Sequence, residues 1–548
     1  MLHRGHTYDD VRRQFQWNIP EFYNIGVDVC DRHAAIRPND PAIIYYDGET
    51  DAARYSFGQL RALSNKLANV FAAKGLRPGD RVGVLLPQAP ETAIAHIAAY
   101  KSGLIAVPLF TLFGEDALEY RLASSGVKLL ITDEASLHKI VAIRDRLPDL
   151  TAILSIDGGS DGAGDGTNDF HATLNAASDT FTPVATRADD PALLIFTSGT
   201  TGPPKGALHA HRTLLGHLPG VEFPHDFFPQ SGDLFWTPAD WAWIGGLIDV
   251  LLPALHHGVP VLAYRARKFD PEDAFRLIAD FEVRNAFIPP TALKLMRQIP
   301  DPRAKWNYAM RSIGSGGETL GTELLDWGQA TFGLNINEFY GQTECNLVIG
   351  NCASVMDIRP GSMGRAIPGH DVAIIDGNGT PLPDGETGAI AIRTPDPVAF
   401  LRYWNNEQAT QDKFIGDWLV TGDMGRRDAD GYFWYVGRDD DVITSAGYRI
   451  GPGEIEDCLS KHPAVSMAAV IGVPDPLRTE AIKAYIVLRD GAAPADDAAS
   501  EALKSDIQHF VRTRLAAHEY PRQVEFIEEL PMTTTGKVMR RTLRGLNK

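Results

Sequence analysis

Cysteine is scarce in this chain, four residues in 548. Cys30, Cys345, Cys352 and Cys458 are widely spaced, form no C-x-x-C and are too few to staple a chain of this length, so a disulfide-built secreted scaffold is excluded and a reducing, cytoplasmic setting is expected. Long apolar runs are also missing. The best, Ile244 to Leu255, is about a dozen residues interrupted by Asp249, against the roughly 20 that a membrane-spanning helix requires; it reads as a buried helix or strand. Residues 1–10 hold no apolar core of the kind a secretory leader needs, so export is not expected. Positive charge is in deficit. With 52 Lys and Arg against 70 Asp and Glu, the net charge of −18 repels nucleic-acid backbones and anionic membranes, and neither is expected as a partner. Any phosphate-bearing ligand must be held by local donors against that field. No internal repeat of fixed period is present.

What is there is ordinary globular composition, 44% hydrophobic and 22% charged, on a chain long enough for several cores. From Tyr55 onward helical and extended patterns alternate. Phe57 to Lys74 has apolar residues at helical spacing, and Arg77-Pro78-Gly79-Asp80 breaks the chain before a short buried strand, Val82 to Leu86. Glu91 to Ser102 reads as helix, and Leu104 to Leu109 and Lys128 to Thr132 as strands, the rhythm of a mostly parallel sheet covered by helices. The predicted class is α/β, a large N-terminal domain of several subdomains with mixed and parallel sheets, followed by a small mobile α+β C-terminal domain. Asp157 to Asp169 is rich in Asp and Gly but lacks the spacing and terminal Glu of a calcium loop, and reads as a solvated surface turn. An aromatic strand, Tyr432 to Val436, precedes a compositional break at Gly437 to Asp441, and the remaining hundred or so residues carry their own strands and helices, such as Ala481 to Leu488 and Ser505 to Leu515. This places the domains at 1–439 and 440–548, joined near Asp440.

The first chemistry-bearing segment is Thr197-Ser-Gly-Thr-Thr-Gly-Pro-Pro-Lys-Gly206, entered from Ile195-Phe196. Glycines let a backbone curl until several N–H groups face one anion, hydroxyls add donors and a lysine adds charge, which makes a phosphate cradle of Thr197, Ser198, Gly199, Thr200, Thr201, Gly202 and Lys205. The spacing is G-x-x-G-x-x-K-G and not that of the P-loop NTPases. His209, His211 and the pair His256-His257 have neither H-E-x-x-H spacing nor cysteine partners, so a structural zinc site is not expected.

The chain also contains Gly314-Ser-Gly-Gly-Glu318, Glu338-Phe-Tyr-Gly-Gln-Thr-Glu344, Val420-Thr-Gly-Asp423, Gly437 to Ile443, Gly447-Tyr-Arg-Ile450 and Pro531-Met-Thr-Thr-Thr-Gly-Lys537. In this order and spacing the set resembles the adenylate-forming superfamily from about Tyr55 to the C-terminus, and Tyr340 to Glu344 with Gly447 to Pro452 is most similar to its medium-chain acyl-CoA synthetase branch. The resemblance implies a two-step reaction. A carboxylate attacks the α-phosphate of ATP to give an acyl-adenylate and pyrophosphate; the thiol of coenzyme A then displaces AMP. A carboxylate approaching a triphosphate needs cations where charge accumulates. Lys537 is the candidate for that role, bridging carboxylate and α-phosphate. Glu344 is the candidate ligand for Mg2+, which keeps several waters when nucleotide-bound and takes few protein oxygens, and Thr343 is the candidate donor to the α-phosphate. The resemblance further assigns Asp423 and Arg438 to the ribose, Tyr340 to stacking on adenine, and Gly316, Gly317 and Glu318 to the base edge, with Glu338, Phe339, Gly341 and Gln342 completing the nucleotide segment. Gly447, Tyr448 and Arg449 resemble a coenzyme A tunnel, and Asp440 the hinge about which the small domain turns. Thr444 departs from the family, where lysine is frequent. Cys345 receives no role, because the chemistry needs no covalent enzyme intermediate.

In the family the acyl pocket lies along Ala239 to Gly245, Gly316 and the residue before Gln342. Gly341, Gly245 and Gly316 are without side chains, which predicts a cavity with room for several carbons beyond acetate; Trp241, Trp243 and Ile244 supply an apolar wall. The expected substrate is a short-to-medium aliphatic monocarboxylate, straight or branched. A ligase loading a separate carrier protein, an aromatic- or acetate-type acid ligase, and a nucleotide-binding pseudo-ligase are the rivals; Lys537, Glu344 and Asp423 all being present argues against the last. Homo-oligomerisation stays open.

Overall fold

The computed structural model describes residues 1–158, 167–197, 204–265, 268–318, 320–438, 441–445, 448–475, 479–515, 520–533 and 537–546. The chain forms two compact units. One comprises Met1–Arg359, Gly364–Asp371 and Arg393–Asp417; the other comprises Pro360–Met363, Val372–Ile392 and Trp418–Lys548.

The first unit is built on two sheets. One has the order Arg402–Tyr403, Lys205–Ala210, Pro191–Thr197, Ile105–Pro108, Arg81–Leu85, Val127–Thr132, Ala152–Ser155, Thr167–Asp169. From Pro191–Thr197 onward it is parallel, and the first two strands close one edge antiparallel. These strands are apolar on both sides because alternate residues enter different cores. Val82, Val84, Leu129 and Ile131 face one cluster; Leu85, Leu130, Ile105 and Val107 face another. The helix Phe57–Ala73 covers the first of these, and its start is fixed by Ser56 and Gln59, each side chain accepting from the other's backbone N–H. The second sheet runs parallel from Pro41–Tyr46 through Val261–Tyr264, Phe235–Trp236, Asn285–Phe287 and Ser312–Gly316 to Ile336–Tyr340. Ala53–Ser56 and Ile349–Gly350 flank it antiparallel.

The predicted helices and strands of residues 57–132 appear within one or two residues of their expected ends. Ile244 to Leu255 is helical and buried, with a π-helical turn at Leu247–Leu251 between Ile244–Gly246 and Leu252–His257. One expectation is corrected. Asp157 to Asp169 is not a surface turn throughout: residues 159–166 lie outside the described part, but Thr167–Asp169 is a strand parallel to Ala152–Ser155, and the Asp169 carboxylate accepts from Ala172 N to cap the helix Phe170–Asn175. Among the described residues no helix is long and apolar enough to cross a membrane.

The second unit carries the strands Val372–Ile375, Thr387–Arg393, Trp418–Arg427 and Phe433–Arg438, adjacent in that order, with the first pair and the last pair antiparallel. It also carries a five-stranded sheet in which Tyr448–Ile450, Ile443–Ser445, Thr479–Leu488 and Val465–Asp475 follow one another and Gln523–Phe526 adds parallel to Thr479–Leu488. Helices Pro452–Ser460 and Asp497–Arg512 close a core of Ile455, Leu459, Ile482, Ile486, Ile507 and Val511 against that sheet. This is the expected α+β arrangement.

Candidate active site

In open parallel sheets ligands collect outside the carboxyl ends of the strands, and three such ends in the first unit carry the motifs. The strand Pro191–Thr197 delivers Thr197, whose Oγ1 donates to the Lys205 carbonyl at 3.3 Å, so the phosphate loop leaves and returns through neighbouring antiparallel strands. Ser198, Gly199, Thr200, Thr201 and Gly202 lie outside the described residues. Ser312–Gly316 ends at Gly316 and leads into Gly317, at φ +96°, and Glu318, which accepts from the Thr291 hydroxyl at 2.9 and 3.1 Å. Ile336–Tyr340 contains Glu338, Phe339 and Tyr340. Glu338 is buried and its carboxyl is pushed up to about 8 by desolvation, while its Oε1 accepts from Leu320 N at 3.3 Å. Phe339 is buried against Phe287, with ring centroids 5.3 Å apart, so it bears on the site as packing; Tyr340 is only half-buried.

The loop that follows holds Gln342, Thr343 and Glu344. Lys413 Nζ lies 3.5 Å from Gln342 Oε1, and Thr343 is half-buried. Glu344 is 7% exposed, and among the described residues no cationic side chain pairs with its carboxylate. Burying a carboxylate without a countercharge is costly unless a ligand supplies one. Its Oε1 accepts from the Tyr403 hydroxyl, and its backbone carbonyl accepts from Phe400 N at 2.9 Å. Tyr403 comes from the edge strand Arg402–Tyr403, paired with Ala207 two residues after Lys205, and Lys205 Nζ sits 5.3 Å from the centre of its ring. The lysine of the phosphate loop and the candidate metal ligand thus share one tyrosine, which sequence reasoning missed. No local pattern marks Tyr403; only strand pairing across some 200 residues brings it there.

The three glycines read as space are not space. A Cβ on Gly341 would lie 2.1 Å from Leu347 N and 2.8 Å from the Asn346 carbonyl carbon, so it is the chain's own backbone that fills the position. At Gly316 a Cβ would meet the Phe339 ring at 2.5 Å, as expected from the register Gly316↔Phe339; at Gly245 it would meet Phe287 at 2.8 Å and Trp243 at 2.9 Å. At these positions the missing side chain does not itself leave open space: backbone at Gly341, Phe339 at Gly316, and Phe287 and Trp243 at Gly245 lie where a Cβ would point. Trp243 remains half-buried, Ile244 is buried, and Trp241 is fully buried in the core. The histidines are structural. His209 and His211 are buried, with their rings pushed down to about 3 by desolvation, and His211 Nδ1 accepts from Ile25 N; His256 pairs with Asp28 and His257 with Glu222.

In the second unit, Asp423 and Arg438 stand opposite each other on antiparallel strands and form an ion pair at 3.4 Å, with Asp423 4% exposed. Lys537 is exposed; its N–H donates to Thr533 Oγ1 at 3.0 Å and its carbonyl accepts from Thr533 N at 2.8 Å. Asp440 and Gly447 lie outside the described residues. The backbone of Tyr448 and Arg449 forms the strand Tyr448–Ile450, while their side chains, and that of Thr444, are outside the described part.

A family model described as AMP-binding enzyme matches residues 30–404, and one described as AMP-binding enzyme C-terminal domain matches residues 454–537. The chain belongs to the AMP-binding enzyme family. The resemblance read from the motifs is borne out, and with it the enzyme class, an AMP-forming acid–thiol ligase. Mouse (Mus musculus) mitochondrial acyl-coenzyme A synthetase ACSM3 is 37% identical, across 98% of this chain and 93% of the relative. Acetyl-coenzyme A synthetase of Bacillus subtilis is 35% identical, across 99% and 95%. Among solved structures, the anthranilate CoA ligase AuaEII in complex with anthranoyl-AMP has a TM-score of 0.87 at 30% identity, covering 96% of this chain and 98% of that one. The acyl-CoA synthetase of Brucella canis has a TM-score of 0.75 at 33% identity, covering 98% of both.

Proposed function

We propose that this family member activates a short-to-medium aliphatic monocarboxylate, straight or branched, with ATP and transfers the acyl group to coenzyme A. In the first step a carboxylate oxygen bonds to the α-phosphorus as the bond to the β-phosphate oxygen breaks, and pyrophosphate leaves. In the second, the coenzyme A sulfur bonds to the acyl carbon, the thiol gives up its proton and AMP leaves. The observation that carries the nucleotide half of this reading is the Glu344 carboxylate, buried with no cationic partner among the described residues and tied through Tyr403 to the lysine of the phosphate loop.

That donor set fits Mg2+ accompanying a nucleotide: one carboxylate with the Thr343 hydroxyl beside it in the chain, both hard oxygen donors. Magnesium bound there with the triphosphate supplies charge neutralisation. The chain's own residues do the rest. Lys205 and the loop hold phosphate, Asp423 accepts from the ribose hydroxyls with Arg438 orienting its carboxylate, and Tyr340 lies under the adenine. Residues 440–548 turn about Asp440 to bring Lys537 to the carboxylate and α-phosphate for adenylation, and the Gly447, Tyr448 and Arg449 segment to coenzyme A afterwards.

Support for the acid class comes from near-full-length similarity to acyl-coenzyme A synthetases and from Trp243, Phe287 and Phe339, which offer an apolar wall and no distal charge. The same aromatic trio and the anthranilate ligase likeness favour a second reading, an aryl acid. A panel of C2 to C10 acids, branched acids, benzoate and anthranilate, scored by coenzyme A-dependent AMP release, decides between them; an optimum on an aryl acid overturns the aliphatic assignment. The compartment we propose is the reducing cytoplasm, where the buried thiols persist.

A further inference from the structure

Resting on the reading of Glu344 as metal ligand, we propose that Tyr403 is a positioning residue that couples the nucleotide's metal to the phosphate loop. Tyr403 is 3% exposed and is fixed from four directions. Its backbone pairs with Ala207, its N–H donates to Thr410 Oγ1 at 3.0 Å, its ring packs edge-on to Phe400 at 5.0 Å, and its hydroxyl donates to Glu344 Oε1. The backbone two residues beyond Lys205 and the ring beneath that lysine's ammonium therefore belong to one rigid edge, and the same edge holds one oxygen of Glu344. The Phe400 N–H fixes the other end of the same residue through its carbonyl.

A hydroxyl bond to one oxygen sets the plane of the carboxylate and leaves the second oxygen as the acceptor for a cation, the arrangement by which outer partners of a ligand tune metal affinity. The ring acts separately: an ammonium over an aromatic face is held by the quadrupole. Tyr403 thus does two things through two parts of its side chain. The hydroxyl orients the ligand of the metal, and the ring orients the cation of the phosphate loop.

The two parts are separable by substitution. Tyr403→Phe keeps the ring and removes only the hydroxyl; Tyr403→Leu removes both. The measurement is the calorimetric Kd of ATP, with no acid or coenzyme A present, in excess EDTA and in excess Mg2+, whose ratio is the factor by which the metal tightens ATP binding. In Tyr403→Phe the EDTA value is expected to stay at the wild-type level while the ratio falls about tenfold. In Tyr403→Leu the EDTA value also rises, because Lys205 has lost its seat. Glu344→Gln is the control. If it keeps the wild-type ratio, Glu344 is not the metal ligand and the underlying reading fails. If Glu344→Gln abolishes the metal effect while Tyr403→Phe keeps or increases it, Tyr403 is a packing residue and the proposal is overturned. A change in both Kd values of Tyr403→Phe by one common factor, with a lowered Tm, overturns it equally.

Discussion

Alanine at Gly341 adds one methyl group where the chain folds back on itself. Its Cβ would start 2.1 Å from Leu347 N and 2.9 Å from Asn346 Cα, backbone atoms that cannot rotate away. Reaching ordinary contact requires the backbone to yield by more than about 1 Å, and overpacking of this kind costs about 1–3 kcal/mol of stability. The segment that must yield directly follows Glu344, and Leu347 is already held at φ +53°. A displacement of about 1 Å in positioned catalytic groups costs on the order of a hundredfold in rate. Gly341→Ala is therefore expected to lower the unfolding midpoint in urea and to reduce adenylate formation about a hundredfold for every acid from C2 to C10, leaving the ratios of kcat/KM between acids unchanged. Pyrophosphate release across that series, beside equilibrium unfolding, is the assay. A wild-type midpoint together with a preference shifted toward acetate would mean that position 341 faces the acyl chain, and would refute the packing argument.

Lys537→Ala should reduce adenylate formation by about 10²- to 10³-fold, the usual loss for one electrostatic donor, and spare thioester formation from supplied acyl-adenylate; equal loss in rapid-quench measurements of both half-reactions counts against the assignment. Trp243→Ala opens the apolar wall beside Phe287 and should raise kcat/KM for decanoate relative to propionate by about tenfold; an unchanged profile places the acyl chain elsewhere. Glu338, whose folded value of about 8 lies above the ordinary 4.5, stays protonated in the folded protein after it would ionise in the unfolded one. Its contribution to stability is complete below pH 4.5 and is lost as pH rises through 8, so Glu338→Gln should flatten the decline of the urea midpoint across that window; a slope identical to wild type excludes a buried neutral carboxyl.

Much of the fold was legible because parallel strands buried on both faces leave short apolar runs, and helices leave spaced ones; the elements at 57–109 and 128–132 follow from that, whereas the helix Glu115–Ser125, mostly polar, is not marked by it. The helix Asp497–Arg512 was read only from Ser505, because its first turn, Asp497 to Ser500, is of small residues without a large apolar side chain and begins at an Asp496 cap. At the site, residue type and motif order named the chemistry, and the Asp423–Arg438 pair follows from strands that put them in register. What sequence hides is which group fills a gap. A glycine announces a missing side chain but not the neighbour that moved in, so Gly245 and Gly316 read as cavity although Phe287 and Phe339 occupy the space. Tyr403 was invisible for a related reason, since its partners come from pairing between distant strands and leave no spacing to detect.

The loop of residues 341–347 gains its shape from segments far from it in sequence. Gly341 permits the backbone of Asn346 and Leu347 to turn in against it. The Asn346 amide donates to Asp249 on the buried π-helical turn, a carboxyl that burial raises well above the ordinary range. Phe400 and Tyr403 hold Glu344 at its carbonyl and its carboxylate. A π turn inside a helix is frequently found where function requires a side chain to be re-aimed, and here it delivers Asp249 to the loop rather than to the apolar core around it. Preorganisation of this kind matters for a reaction between two anions. A ligand that must first find its orientation loses part of the interaction to reorganisation, whereas one already fixed stabilises charge as it develops. The acyl pocket needs no such rigidity, because a methylene more or less changes binding by only about 1–3 kcal/mol. The polar ties therefore converge on Glu344, while Trp243, Phe287 and Phe339, beside which we propose the acid lies, are joined by ring packing.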